Sequence, residues 1–137
     1  MTSIDMQTMR YINLLDRESR VKTRKCFVYN NIIIFAVPQI MVSRAIGPDA
    51  INVRRIQESL GKRVKIISEA NGIEDAARFV QDIVYPVRFK SLELKDEGFI
   101  LTAGSESKAA LIGRNRRRLD ELKRITMDNF GKDLRIV

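Results

Sequence analysis

The sequence has no histidine, no tryptophan and a single cysteine, Cys26. Without histidine the commonest general base and the commonest metal ligand are missing. With one cysteine beside that absence, zinc sites and Cys–His or Ser–His catalysis are excluded. Carboxylate chemistry stays open in principle, but no pair of acids is singled out by its spacing, so no catalytic residue, metal or cofactor is expected. The lone cysteine rules out an internal disulfide framework and fits a reducing cytoplasm. It is expected to be a small buried hydrophobe rather than a reactive thiol. Aromatic residues make up only 7% of the chain, too few for an extended base-stacking platform. The longest apolar run, Ile32–Val37, has the length of a strand and is far short of the roughly 20 residues of a membrane span. The N-terminal stretch is polar and amphipathic and does not read as a secretory signal.

What is present is charge of one sign. Among 137 residues, 25 Lys and Arg face 17 Asp and Glu, giving a net charge of +8 and a sequence pI near 10.0. Such a balance points to a polyanionic partner; the plainer alternative is a Lys/Arg-rich solvated surface. The 45% hydrophobic content is that of a globular, core-forming chain.

Local patterns give the order of elements. Thr2 or Ser3 is placed to cap a first helix, with Asp5 in its first turn and Ile4, Tyr11, Ile12 and Leu15 on one face. Lys25–Tyr29 and Ile32–Val37 read as strands joined at Asn30-Asn31, a dipeptide suited to a tight hairpin. Pro38 ends the second strand, a short helix covers 39–46, and Gly47 stops it. After Pro48-Asp49-Ala50 comes a helix with Val53, Ile56 and Leu60 inward, closed at Gly61 and followed by a strand over 63–67. Asp49 reads as that helix's cap. Asn71-Gly72 marks a boundary, giving domains 1–70 and 71–137. The same order then recurs: a helix over 74–85, strands over 87–94 and 99–103, helices over 105–112 and 116–130, and a last strand over 134–137.

The recurrence is visible in the letters too. Ala45-Ile46-Gly47 matches Leu111-Ile112-Gly113, and Gly61-Lys62-Arg63-Val64-Lys65-Ile66 matches Gly131-Lys132-Asp133-Leu134-Arg135-Ile136. Between these anchors the second copy is longer by about one helical turn. Internal duplication of an α+β unit is therefore expected, each helix-strand-strand-helix-helix-strand with a three-stranded sheet covered by helices.

That order, with a glycine loop between the second and third helices, describes the type II KH fold, whose loop clamps the backbone of about four nucleotides. Glycine permits close backbone approach, and the helix behind it aims free N–H groups at phosphate. Ala45-Ile46-Gly47, Asn52-Val53 and Leu60-Gly61-Lys62-Arg63-Val64 resemble the first KH domain of the archaeal NusA-like transcription factors. Leu111-Ile112-Gly113-Arg114-Asn115 and Leu134-Arg135-Ile136-Val137 resemble the second. The resemblance implies a cytoplasmic, monomeric protein that binds single-stranded RNA in transcription elongation, termination or antitermination. RNA polymerase or the transcription complex is the further partner the resemblance implies, and no membrane is expected. The second glycine of the GxxG motif is replaced in both copies, by Ala50 and by Arg116.

On this reading the RNA-binding residues are Ile46, Gly47, Pro48, Asp49, Ala50, Asn52, Arg54 and Arg55 in the first copy. In the second they are Ile112, Gly113, Arg114, Asn115, Arg116, Arg117 and Arg118. The four arginines oppose the dipole of the helix they begin, a cost that bound phosphate reverses. The reading against phosphate binding is that these arginines splay into solvent or pair with Asp120 and Glu121. Asn52 is either a helix-surface amide or a base reader. Ile46 and Ile112 are expected in the core. Ribosomal RNA or single-stranded DNA as the partner, or a protein-interaction module with degenerate loops, are the competing readings.

Overall fold

The computed structural model describes residues 5–137, so the expected roles of Thr2, Ser3 and Ile4 lie outside the described residues. The first helix, α1 (Met6–Ser19), is capped by Asp5, whose carboxylate accepts a hydrogen bond from the Thr8 amide at 2.7 Å. Asp5 thus precedes the helix instead of lying in its first turn, and that bond holds its carboxyl below the usual aspartate range. The buried face of α1 is Tyr11, Leu14 and Leu15, with Ile12 only half-buried. Arg20 closes it in the left-handed conformation, its N–H on the Asp16 carbonyl at 2.8 Å.

Strands β1 (Lys25–Tyr29) and β2 (Ile32–Val37) form an antiparallel hairpin. Asn30 and Asn31 both take positive φ, 52° and 63°, as the twist-matched two-residue turn requires. β2 is central, paired in parallel on its other side with β3 (Arg63–Ser68). Ile33–Val37 are all buried, which an unbroken apolar run without alternation anticipates. The expected helix over 39–46 is shorter: one 3-10 turn at Gln39–Met41 leads into α2 (Val42–Ile46). Helix α3 (Ile51–Leu60) follows and ends at Gly61, φ 65°. The core of this unit gathers Leu15, Ile33, Phe35, Val37, Ala45 and Ile56.

The second half repeats the plan. Helix α4 (Ala76–Val84) starts after a 3-10 turn and buries Phe79, Val80 and Ile83. Strands β4 (Ser91–Lys95) and β5 (Gly98–Thr102) pair antiparallel, and β6 (Asp133–Ile136) joins β5 in parallel. Helices α5 (Ser105–Ile112) and α6 (Arg117–Phe130) cross over between them. α6 has 14 residues against 10 in α3, the extra turn foreseen from the repeat. The strand expected over 87–94 begins instead at Ser91, because Val87 is committed elsewhere. Its N–H bonds the Val84 carbonyl at 2.9 Å and its own carbonyl accepts from Gln81 Nε2 at 2.8 Å. Among the described residues the result is an α+β chain of six helices and two three-stranded sheets. It divides into two compact units, Met1–Glu69 and Ala70–Val137, where the sequence reading places the division after Ala70.

Phe130 closes the core of the second unit, edge-on to Phe79 at 5.7 Å and to Phe99 at 5.5 Å. Replacing it by alanine is expected to destabilise that unit by about 3 kcal/mol, read by chemical denaturation. Cys26 is half-buried, and burial pushes its thiol up to about 12. A thiol reagent at pH 8 is therefore expected to label the folded chain slowly and the denatured chain fast.

Candidate nucleic-acid interface

The corner between the second and third helices has the same geometry in both units. Gly47 (φ 81°, ψ 164°) is followed by Asp49 (53°, 31°) and Ala50 (58°, 31°). Gly113 (74°, 172°) is followed by Asn115 (56°, 29°) and Arg116 (61°, 19°). The Ala50 amide bonds the Gly47 carbonyl at 3.0 Å, and the Arg116 amide bonds that of Gly113 at 3.2 Å. Gly-Pro-Asp-Ala and Gly-Arg-Asn-Arg share only their first residue, yet each places two consecutive non-glycine residues in the left-handed region. Each such residue costs about 1–2 kcal/mol.

The first glycine of each corner has a steric reason. A Cβ on Gly47 would lie 2.8 Å from Asn52 Nδ2, and one on Gly113 would lie 2.6 Å from Arg118 Cγ. Asn52 is buried and donates from Nδ2 to the Arg44 carbonyl at 3.1 Å, tying α3 to α2. It is thus not a helix-surface amide, and one of its two amide N–H donors is used inside the unit. Arg118 occupies the equivalent place. Its side chain is 17% exposed, and its Nε pairs with Glu121 Oε1 at 3.1 Å, which separates it from the basic cluster expected at this helix start.

The remaining arginines stay together. Arg114, Arg116 and Arg117 are exposed and, among the described residues, form no salt bridge with Asp120 or any other acid. Asn115, Pro48, Asp49 and Arg54 are exposed as well. Arg55 is 60% exposed and reaches Glu18 only at 3.9 Å. Asp49 does not cap α3. The cap position is Ala50, and neither α3 nor α6 has a side chain bonded to its first amides, in contrast to α1. The Ile51 and Arg117 amides bond instead the Pro48 and Arg114 carbonyls of the turn before them, and both helices point the positive end of the dipole toward the corner. Ile46 and Ile112 are half-buried beside it, while their neighbours Ala45 and Leu111 are the fully buried ones.

Other cations are sorted by the sheet. Arg63 pairs with Ile32 at the hairpin end of the first unit, so Lys62 and Arg63 lie away from the 47–50 corner. Lys25 pairs with Ala36 at the opposite end, the end to which α3 points its N-terminus. Arg20, Lys22 and Arg24 are exposed in the connection leading into Lys25. Four cations within residues 20–25 were the available sequence signal for this strip. Met1–Glu69 holds twelve Lys and Arg against six Asp and Glu, a net +6; Ala70–Val137 holds thirteen against eleven, a net +2. Among the described residues no helix is long and apolar enough to cross a membrane, and no group of three acidic or cysteine side chains could hold a metal.

The two glycine positions of each corner predict opposite signs. Gly47→Ala is expected to cost about 1–3 kcal/mol, since its φ/ψ region is nearly glycine-only. Ala50→Gly is expected to gain about 1 kcal/mol, relief of strain exceeding the added freedom of the unfolded chain. Thermal and urea unfolding of both variants reads the difference.

No family model matches the chain. A curated protein of Halococcus morrhuae, a probable transcription termination protein NusA, is 24% identical over 128 residues, spanning 91% of this chain and 90% of that protein. Among solved structures, the crystal structure of APE1850 superposes with a TM-score of 0.69 at 23% identity, covering 98% of this chain and 99% of that one. The chain thus shares its fold with that structure from end to end and is distantly similar to a NusA protein over most of its length.

Proposed function

We propose that this chain is a NusA-like, single-stranded RNA-binding protein of two tandem type II KH domains, acting in transcription elongation, termination or antitermination. The observation that carries the reading is the paired corner. Two helices without side-chain caps stand behind glycine-led loops of closely matching backbone, and one loop adds three unpaired arginines. Phosphate is the ligand that answers both features, because negative charge is favoured at the positive end of a helix dipole and neutralises the guanidinium charge. Strain kept at Ala50 and Arg116, where glycine is cheaper, fits a loop conformation maintained for binding. The reading makes the chain a binding protein rather than an enzyme, cytoplasmic, with the transcription complex as its further partner.

The two corners are unequal in charge. Arg114, Arg116 and Arg117 line the second, whereas Asp49 stands in the first, where it repels a bound phosphate. The second corner is therefore the stronger backbone clamp. The basic strip 20–25 supplies the first unit with cations at its loop end.

The test is equilibrium binding to short single-stranded RNA and matched DNA across salt concentrations. About four phosphate contacts give a log–log slope near −3. Arg114/Arg116/Arg117→Ala is expected to weaken binding and make the slope shallower by about 2. An unchanged slope would remove the second corner as the clamp. Absence of binding at low salt would favour the protein-interaction reading of the loops.

A further inference from the structure

Tyr85 is 58% exposed, while every other aromatic side chain among the described residues is buried or half-buried. A single exposed ring on a surface needs no explanation by itself. This one, however, is rooted in a pinned turn. Its N–H bonds the Gln81 carbonyl at 2.9 Å, the Val87 N–H bonds Val84 at 2.9 Å, and Gln81 Nε2 bonds the Val87 carbonyl at 2.8 Å. The Arg88 guanidinium carbon stands 6.0 Å from the ring centroid, within cation–π range. The turn holds Val87 out of the sheet and presents an aromatic face beside a cation.

Topology brings this pair to the loop end of the second unit. β4 opens at Ser91 opposite Thr102, the last residue of β5, and the Lys90 amide already bonds the Thr102 carbonyl at 2.7 Å. β6 runs parallel to β5 and finishes opposite Leu101. α6 runs back over β6 from Gly131, so its start, with Arg114, Arg116 and Arg117 before and in its first turn, lies at that same end. The Phe79–Phe130 contact sets the start of α4 against the far part of α6, and from Tyr85 only six residues, at most about 20 Å of chain, lead to Ser91 at the loop end.

We infer that Tyr85, flanked by Arg88, is a base-stacking site that takes an unpaired nucleobase of the RNA strand whose phosphates are held at the 113–116 corner. This rests on the RNA-binding reading above and adds to it a contact with the base. Single-stranded bases stack on aromatic rings and on guanidinium planes, and a rigidly mounted ring loses little freedom on doing so. Such stacking tolerates any base, since every base has a π-face.

The test uses the full chain, oligouridylate, oligoadenylate and an abasic strand of the same length, with affinity read by fluorescence anisotropy. Tyr85→Ala is expected to weaken binding to the base-bearing strands about tenfold, within the range of one lost aromatic–base stack. Its salt slope should match wild type, because no phosphate contact is removed. Tyr85→Phe should keep wild-type affinity, and on the abasic strand wild type and Tyr85→Ala should bind alike. The chain has no tryptophan, so Tyr85→Trp places a single reporter at the site, with emission quenched on binding. Equal affinity of wild type and Tyr85→Ala for base-bearing RNA, with equal melting temperatures, overturns the inference and leaves the arginine clamp intact. A wild type that binds no RNA overturns the clamp and the stacking site together.

Discussion

Each unit depends on a space too small for a methyl group. At Gly47 and Gly113 the volume that a Cβ would claim is taken by the side chain five positions later, Asn52 in one unit and Arg118 in the other. That side chain then holds the corner by different chemistry. Asn52 reaches back across it to the Arg44 carbonyl, whereas Arg118 braces against Glu121 within α6. With the corner closed in this way, the third helix starts at a fixed angle and its apolar stripe falls on the sheet. Ile56 and Leu122, both fully buried, register that docking. The placing of the third helix and the exposed loop follow from one steric condition satisfied twice.

The same condition accounts for the motif's degeneracy. The second glycine is dispensable, because the residue in its place faces solvent or a half-open surface and meets only its own backbone strain. The first is not, because a side chain there collides with a packed neighbour and also needs a region closed to L-residues. Ala50 and Arg116 mark what the loop tolerates; Gly47 and Gly113 mark what the fold requires. Charge is then free to vary at the tolerant positions, and the two units have used that freedom in opposite directions, an acid at Asp49 and three cations around Asn115.

Much of the fold was legible in the sequence because its punctuation is strong. Gly61 and Gly131 end helices in the left-handed conformation, Asn30-Asn31 turns a hairpin, and the four-residue length difference between α3 and α6 is an intact helical turn. What was not legible depends on partners that only the folded chain supplies. Val87 has strand propensity, but Gln81 and Val84 claim its backbone. Asp49 has the composition of a cap, yet it lies one residue too early, in a left-handed conformation that sends the cap position to Ala50. Asn52 and Arg118 look like surface residues on a helical wheel, and only the missing Cβ of the glycine makes room to tuck them in. The site was therefore legible as a loop and a charge cluster, not as the set of side chains that remain free.

Net charge turns out to be a poor guide to where an anion would sit. The more basic unit, at +6, has the more acidic corner, and the nearly balanced unit, at +2, has the three unpaired arginines. Four of the acids that lower the second unit's total are engaged in ion pairs. Glu121 holds Arg118, Asp82 holds Arg78, Asp133 meets Lys123, and Glu93 pairs with Lys95 on the strand β4. At the loop itself the three arginines outnumber the one nearby acid, Asp120 in the first turn of α6, and this excess is the local field. For a ligand within a Debye length of about 8–10 Å, that local field decides binding, and the domain total does not. In the first unit the cations at the loop end of the sheet lie in the connection before β1, with Lys25 already paired to Glu69 at 3.7 Å, so the two repeats share a corner geometry while carrying their positive charge in different segments of the chain.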